Sequence, residues 1–352
     1  MFPYIFILIP LAVFSILELL HCVSKQQKLL FFVSFLLLWL FSGLRYNIGM
    51  DYPAYKELYE NSLSKLNPDI KELGWAYLFY WFRNIECPFE FVILTISFFT
   101  VYYVFLFIKR YSPYPFMSIL IFFCFTQYYT YTFNVMRQCL ACYIFFVSLK
   151  HIEERNILKY AVNIGIIAFC VHLTAIILLP LYFVLHKSYP TLVKVGIAVL
   201  SILAVKFLIL IIASSETYRI YLAFEQYAQD ITITTYILIF ISSLFLIIEK
   251  YIKKNRVDNI LLNISFIALL CFLVAYFFTG TPLVIVFLRF AYYFTPVLIV
   301  LLPLLVKKTF SIKSQSLILF FIGVSYISIF CYTLSAGGEK NKLLPYKTVL
   351  LK

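Results

Sequence analysis

Apolar stretches recur along the whole chain, at roughly 2 to 20, 29 to 43, 89 to 108, 114 to 133, 135 to 149, 160 to 185, 192 to 213, 234 to 248, 260 to 279, 284 to 306 and 315 to 335. Most approach the ~20 residues that a helix rising ~1.5 Å per residue needs to cross ~30 Å of hydrocarbon. Lipid offers no partner for a backbone N–H or C=O, so such segments are expected as helices of one bundle and not as strands of an open sheet. With 63% hydrophobic and only 13% charged residues in 352, no soluble domain fits in what remains. The expected fold is all-α: a single integral membrane domain over 1–352, a polytopic helix bundle of about 11–12 crossings with one long extracytoplasmic loop, 44–88.

Charge distribution orients the bundle. No basic residue precedes the first stretch, Glu18 is its first charge, and Lys25 and Lys28 follow, which places the N-terminus away from the cytoplasm. The stretch lacks a small-residue cleavage site and reads as an uncleaved helix. Alternation then puts Lys109, Arg110, Lys150, Arg155 and Lys159 inside. Loop 44–88 falls outside, and its five bases and six acids do not make a cytoplasmic basic loop. If 160–185 is one crossing, Lys250, Lys253, Lys254 and Arg256, and later Lys307, Lys308 and Lys313, land on the wrong side. Two short arms with His172 at the bend, a broken helix or hairpin, restore the rule. Such a bend belongs where it is buried in protein or lines a watery cavity. The lysine-rich tail (Lys340, Lys342, Lys347, Lys352) then ends outside, against the rule. The net charge of +13 is largely this lysine excess, which anionic membrane lipid accounts for without a nucleic-acid partner.

The polar residues at the outward ends carry the chemistry. Arg45 follows the second stretch, Arg137 sits in Asn134-Val-Met-Arg137-Gln138, Arg219 lies in 214–233, and Arg289 opens the tenth stretch after Gly280-Thr-Pro282. Arginine is disfavoured on that side. Each either anchors a helix end at the headgroups or joins a site for a phosphorylated ligand, whose oxygens a permanently charged guanidinium grips in pairs. His172, in His172-Leu-Thr174-Ala175, is either a bonded core residue or a base that accepts a hydroxyl proton. Asp51 is the competing base, or else it pairs with Arg45 across a turn that Gly49 allows. Lys206 is an intramembrane charge near a span end. Gln127, Tyr128, Tyr129 and Tyr131 form an aromatic belt or a stacking surface for sugars. Of the eight cysteines, Cys139 and Cys142 have C-x-x-C spacing but no second ligand pair, which points to helix packing. The four aspartates (Asp51, Asp69, Asp230, Asp258) form no D-x-D pair, and there is no H-E-x-x-H.

Taken in order, Gly43-Leu-Arg45-Tyr46, Gly49-Met-Asp51-Tyr52 with Tyr55, Asn134-x-x-Arg137-Gln138, His172-x-Thr174-Ala175 and Arg289-x-x-Tyr292 resemble the EpsG-like branch of the Wzy-type polysaccharide polymerases over about 30 to 300. Met50 departs from the small polar residue often found there. The resemblance implies a metal-independent, GT-C-like membrane glycosyltransferase without a cofactor, working on the outer face of the bacterial cytoplasmic membrane. It would transfer a growing glycan from one undecaprenyl diphosphate carrier to the terminal sugar hydroxyl of another carrier-linked repeat unit, with inversion if the attack is direct. The product would be O-antigen, capsule or another exopolysaccharide, and a chain-length-regulating co-polymerase is an implied partner. Arg137 and Arg289 are then expected on the diphosphate, with His172 as base and Asp51 its competitor. Arg45, Tyr46, Gly49, Tyr52, Tyr55, Asn134, Gln138, Arg219 and Tyr292 are the remaining substrate-binding candidates. A glycosyl diphosphate is already activated, so the protein need only offset the leaving charge, align two substrates and remove one proton.

A lipid-linked oligosaccharide flippase or other transporter is the alternative class, but transporters gather polar residues near the midplane on paired broken helices. Here they gather near outward ends and no repeat relates the halves. An O-antigen ligase shares topology and chemistry with a polymerase and differs in its acceptor.

Overall fold

A computed structural model describes residues 1–23, 26–62, 70–214, 231–281 and 283–351. Among these the chain is all-α, its single β-like contact being the isolated bridge of Arg45 to Thr348. Packing divides it into two compact units, Met1–Pro180 with Leu302–Lys352, and Leu181–Leu301. Lys25, Lys65, Asp69, Arg219, Asp230, Pro282 and Lys352, and the side chain of Lys206, lie outside the described residues.

The first unit begins with α1 (Phe2–Leu19) and α2 (Gln27–Gly43), continues through α3 (Tyr52–Glu60) and α4 (Leu73–Asn84) in the long loop, and then α5 (Phe89–Tyr111), α6 (Pro115–Cys124), α7 (Met136–Glu153) and α8 (Ile157–Ile166). Its last helix is α15 (Ile312–Gly337). α1 packs on α6 and α15, while α2 and α7 flank α5. The ends of these helices fall on two faces. On one, Arg110 meets Glu153 at 2.8 Å, the Glu18 carboxylate accepts the Phe116 and Met117 N–H groups at the start of α6, and Tyr114 donates to Gln315 at 2.6 Å. Glu18 thereby satisfies donors that a helix start leaves open. Lys109, Lys150 and Lys313 belong to these same ends. On the opposite face, Tyr4 of α1 donates to the Leu343 carbonyl at 3.2 Å, and the tail runs back over the first motif. There Gly49 N–H bonds Lys342 O at 3.0 Å, Tyr46 N–H bonds Lys347 O at 2.9 Å, and Val349 N–H bonds Leu44 O at 2.9 Å. The lysine-rich tail therefore shares a face with loop 44–50, held by backbone bonds that its charge does not oppose.

Two apolar stretches are not single helices. The stretch 114–133 is helical only to Cys124 and ends in a 3₁₀ turn, Thr130–Phe133. Thr130 and Thr132 hydroxyls bond the carbonyls of Thr126 and Tyr129, offering this backbone an alternative to the helix. The irregular segment survives because it is buried in protein: Tyr128 and Tyr129 are core residues, neither belt nor sugar platform, and the Tyr129 hydroxyl donates to Leu38 O at 2.6 Å. In 157–178, α8 passes into a π-helical segment, Ile167–Val171, the backbone is extended at His172, and a 3₁₀ segment, Leu173–Leu178, follows. The Tyr160 hydroxyl donates to Leu178 O at 2.6 Å, so the chain doubles back with His172 at the bend.

The second unit contains α9 (Leu181–Leu185), α10 (Thr191–Ser214), α11 (Ile233–Ile248), α12 (Arg256–Phe277), α13 (Leu283–Phe294) and the start of α14 (Leu298–Thr309). Asn255 and Asp258 form a reciprocal cap on α12, which packs against α9, α10, α11 and α13. A buried pair, Lys194 with Glu249 at 2.8 Å, joins α10 to the end of α11. By length and apolarity, five described helices suit a membrane crossing: Phe2–Leu19, Phe89–Tyr111, Arg256–Phe277, Leu283–Thr309 and Ile312–Gly337. Shorter apolar helices, α2, α6 and α11 among them, lie between them in the chain.

Candidate functional site

The long loop is itself a packed structure. In α3 the spacing of Tyr52, Tyr55 and Tyr59 puts three rings on one stripe, which buries against Trp75, Ala76 and Phe79 of α4 and Phe89, Val92 and Ile93 of α5. Each ring removed from solvent contributes on the order of 2 kcal/mol. The two short helices are thus a lid of aromatic residues fixed to the end of α5, and they set the position of whatever precedes α4.

That residue is Glu72. It occupies the N-cap of α4, yet its side chain makes no cap bond there. Instead Oε2 accepts from Arg137 Nη1 at 2.7 Å, and Oε1 meets His172 Nδ1 at 3.2 Å and the Leu173 N–H at 3.3 Å. Gly74 is what lets α4 come this close, since a Cβ there would overlap the backbone carbonyl of Cys170, two residues before His172. Arg137 is in the first turn of α7, and its guanidinium lies 5.6 Å from the Tyr55 ring and bonds the Tyr55 hydroxyl. Glu72 is 6% exposed, whereas the Arg137 and His172 side chains keep 26% and 22% of their surface. The carboxylate is the buried hub and the two bases are its accessible ends.

Electrostatics orders the protons. Burial pushes the Glu72 carboxyl up, but the Arg137 charge, the Leu173 N–H and His172 together outweigh it and hold the group below the ordinary carboxylate value. An ionised carboxylate only accepts, so the proton of a neutral His172 belongs on Nδ1, and Nε2 is then the ring nitrogen that carries the lone pair. Because the folded value is lowered, the stabilisation from Glu72 is full above the ordinary carboxyl value of 4.5 and is lost as pH falls through the folded value. The difference in melting temperature between wild type and Glu72→Gln is therefore expected to be constant from pH 7 to about 5 and to shrink below 4.5. A gap that stays constant to pH 3 would mean that Glu72 is not ionised in the fold.

The other candidates separate into supports and residues elsewhere. Arg45 is 1% exposed, bonds the Ser42 carbonyl, Ser97 Oγ at 3.1 Å and Met136 Sδ at 3.1 Å, and lies 4.7 Å from the Phe133 ring. It braces the residue before Arg137 and does not form the expected pair with Asp51, because its fork is directed into the α2–α5–α7 contact. Asp51 is the half-buried N-cap of α3 and makes no cap bond. Gly49, at φ +101°, packs on Phe133 O, and Asn134 Oδ1 accepts the Met50 N–H at 2.6 Å, which locks the first motif onto the second. A Cβ at Gly49 would lie 2.7 Å from Phe133 O, so Gly49→Ala is expected to lower stability by about 1–3 kcal/mol, read as a drop in melting temperature of the detergent-solubilised protein. Tyr46 stands edge-on to Tyr52, which is buried against Phe89, and Gln138 is buried. Arg289, exposed on α13, and Tyr292, bonded to Thr235 and edge-on to Phe272, belong to the second unit. Cys139 and Cys142 are buried thiols outside any disulfide, and among the described residues no group of three or more His, Cys, Asp or Glu side chains is placed to hold a metal.

Glu72 is the residue that sequence reasoning missed. It entered only as one of six acids balancing five bases in the loop. The signal was Glu72-Leu-Gly74-Trp75, an acid at the start of an aromatic helix with a glycine two places on, where a close approach to another backbone is possible.

Compared with known proteins, the chain is matched from residue 28 to 348 by a family model described as the EpsG family. No curated protein and no solved structure matches it.

Proposed function

The chain belongs to the EpsG family, and we propose that this multi-pass membrane protein of polysaccharide-polymerase type joins undecaprenyl-diphosphate-linked oligosaccharide repeat units into O-antigen, capsule or exopolysaccharide. It works on the outer face of the cytoplasmic membrane as a glycosyltransferase that needs no metal. The observation that carries this reading is the Glu72 carboxylate joined at 2.7 Å to Arg137 and at 3.2 Å to His172, beside the first motif.

In the reaction, the terminal sugar hydroxyl of the acceptor gives its proton to His172 Nε2 as its oxygen bonds to the anomeric carbon of the donor glycan. The bond from that carbon to the diphosphate oxygen breaks, and the electron pair leaves with the carrier diphosphate. Glu72 holds the imidazole in the Nδ1–H form and stabilises the imidazolium that develops. Arg137 keeps one N–H on Glu72 and one on the Tyr55 hydroxyl and turns its remaining donors to the diphosphate, whose charge grows as the bond breaks. Arg289 and Arg219 enter this reading as further diphosphate contacts from the sequence alone. Direct displacement inverts the anomeric centre.

Glu72→Gln separates the classes. In a deletion strain complemented with this variant, and with its membrane level equal to wild type, surface glycan on gels is expected to collapse from a ladder to single repeat units, because export continues while joining fails. Loss of all external repeat units would support a flippase and overturn the reading. A ladder detached from its usual acceptor would support a ligase.

A further inference from the structure

Directly beside the Arg137–Glu72–His172 cluster the first unit has a cavity of about 180 Å³ between α4, α5, α7 and the π segment. Its walls are the sequence neighbours of the three site residues: Gly74 and Trp75 follow Glu72, Leu140 lies one turn beyond Arg137 on α7, and Cys170 and Val171 precede His172. Phe99 of α5 closes one side and is 43% exposed, so the cavity has a wall on the bilayer-facing surface. The lining is apolar apart from Thr95, whose hydroxyl already donates to the Phe91 carbonyl at 2.8 Å. An apolar slot with a wall toward lipid, lined by residues that adjoin Glu72, Arg137 and His172 along the chain, fits an amphiphile with a phosphate head and a hydrocarbon tail.

We propose that this notch seats the first isoprene units of the polyprenyl diphosphate, so that threading the tail under α4 delivers the diphosphate to Arg137 and the anomeric carbon to His172. The inference rests on the polymerase reading and extends it to the place where the carrier enters. It also explains why π-helical backbone occurs at 167–171: one extra residue in the turn moves Cys170 and Val171 aside to form a wall. The larger cavity across Val171, with Lys150 and Asn163 in its lining, has a polar end and no part in the proposal.

The test is photo-crosslinking of the full chain in phosphatidylethanolamine–phosphatidylglycerol nanodiscs, with Phe99→p-benzoylphenylalanine and radiolabelled undecaprenyl diphosphate. Label at Phe99 is expected to exceed by at least fivefold that at Phe6, a lipid-facing position on α1. Unlabelled undecaprenyl diphosphate should remove it, and dioleoyl phosphatidic acid should not. Leu140→Trp, which fills the notch away from the site residues, should reduce it at least tenfold at unchanged melting temperature. Equal labelling at the two positions, or equal competition by phosphatidic acid, would overturn the notch while leaving polymerisation untouched. Specific labelling of a chain that makes no polymer in cells would uphold the notch and overturn the polymerase reading.

Discussion

Replacing His172 by alanine is expected to lower the rate of repeat-unit joining by about 10²–10⁴-fold, the contribution of a positioned proton acceptor, while the protein remains in the membrane at its normal level. The fold should tolerate the change because Glu72 keeps its 2.7 Å bond to Arg137 and the Leu173 N–H. The measurement is turnover of purified protein on carrier-linked repeat units, set against the glycan ladder in complemented cells. Added imidazole should restore part of the rate in His172→Ala, since a small base can occupy the vacated space, and should do nothing for Glu72→Gln, which retains its histidine. A His172→Ala protein with full turnover would exclude this base and turn attention to Asp51.

Arg137→Ala should be as damaging and for two separable reasons. It removes the charge proposed to face the diphosphate, an expected loss of about 10²–10³-fold in rate. It also leaves a buried carboxylate short of its strongest partner. Breaking a wholly buried pair costs about 3–5 kcal/mol; with a quarter of the Arg137 side chain still in contact with solvent, about 1–3 kcal/mol is the better expectation. The double variant Arg137→Ala/Glu72→Gln removes the stranded charge together with its partner. It should recover much of the melting temperature and none of the turnover. Arg137→Lys should keep the protein stable, since an ammonium can still reach Glu72, but act slowly, because it lacks the planar fork that serves carboxylate and phosphate at once. Recovery of turnover in either variant would show that Arg137 serves the fold alone.

Particular residues show how far the sequence could be read. Hydrophobic periods, the outward arginines and five ordered motifs were enough for an all-α membrane bundle and for the family, and Arg137 and His172 stood out because they sit in motifs on an otherwise apolar chain. Tyr128 and Tyr129 resisted reading, since a tyrosine at a span end looks the same whether it faces headgroups or, as here, lies fully buried with its hydroxyl bonded. Arg45 was legible as a retained charge but not as a brace, because its partners, Ser97 and Met136, are contributed by α5 and α7, 52 and 91 residues away.

Local chemistry sufficed wherever the governing interaction was with solvent: hydrocarbon length sets where helices form, and the cost of unsatisfied backbone in lipid excludes open strands. The partners of a side chain are a different matter. Glu72 and His172 stand 100 residues apart, and what brings them to 3.2 Å is the three-tyrosine stripe that fixes α4, the missing Cβ of Gly74 against Cys170, and the reversal of the chain at His172. The sequence by itself determined the solvent this protein folds in and the charged residues it retains there. Only the tertiary structure decided that one buried carboxylate should orient the histidine and hold the arginine, because that depends on close approach between backbones that no local pattern encodes.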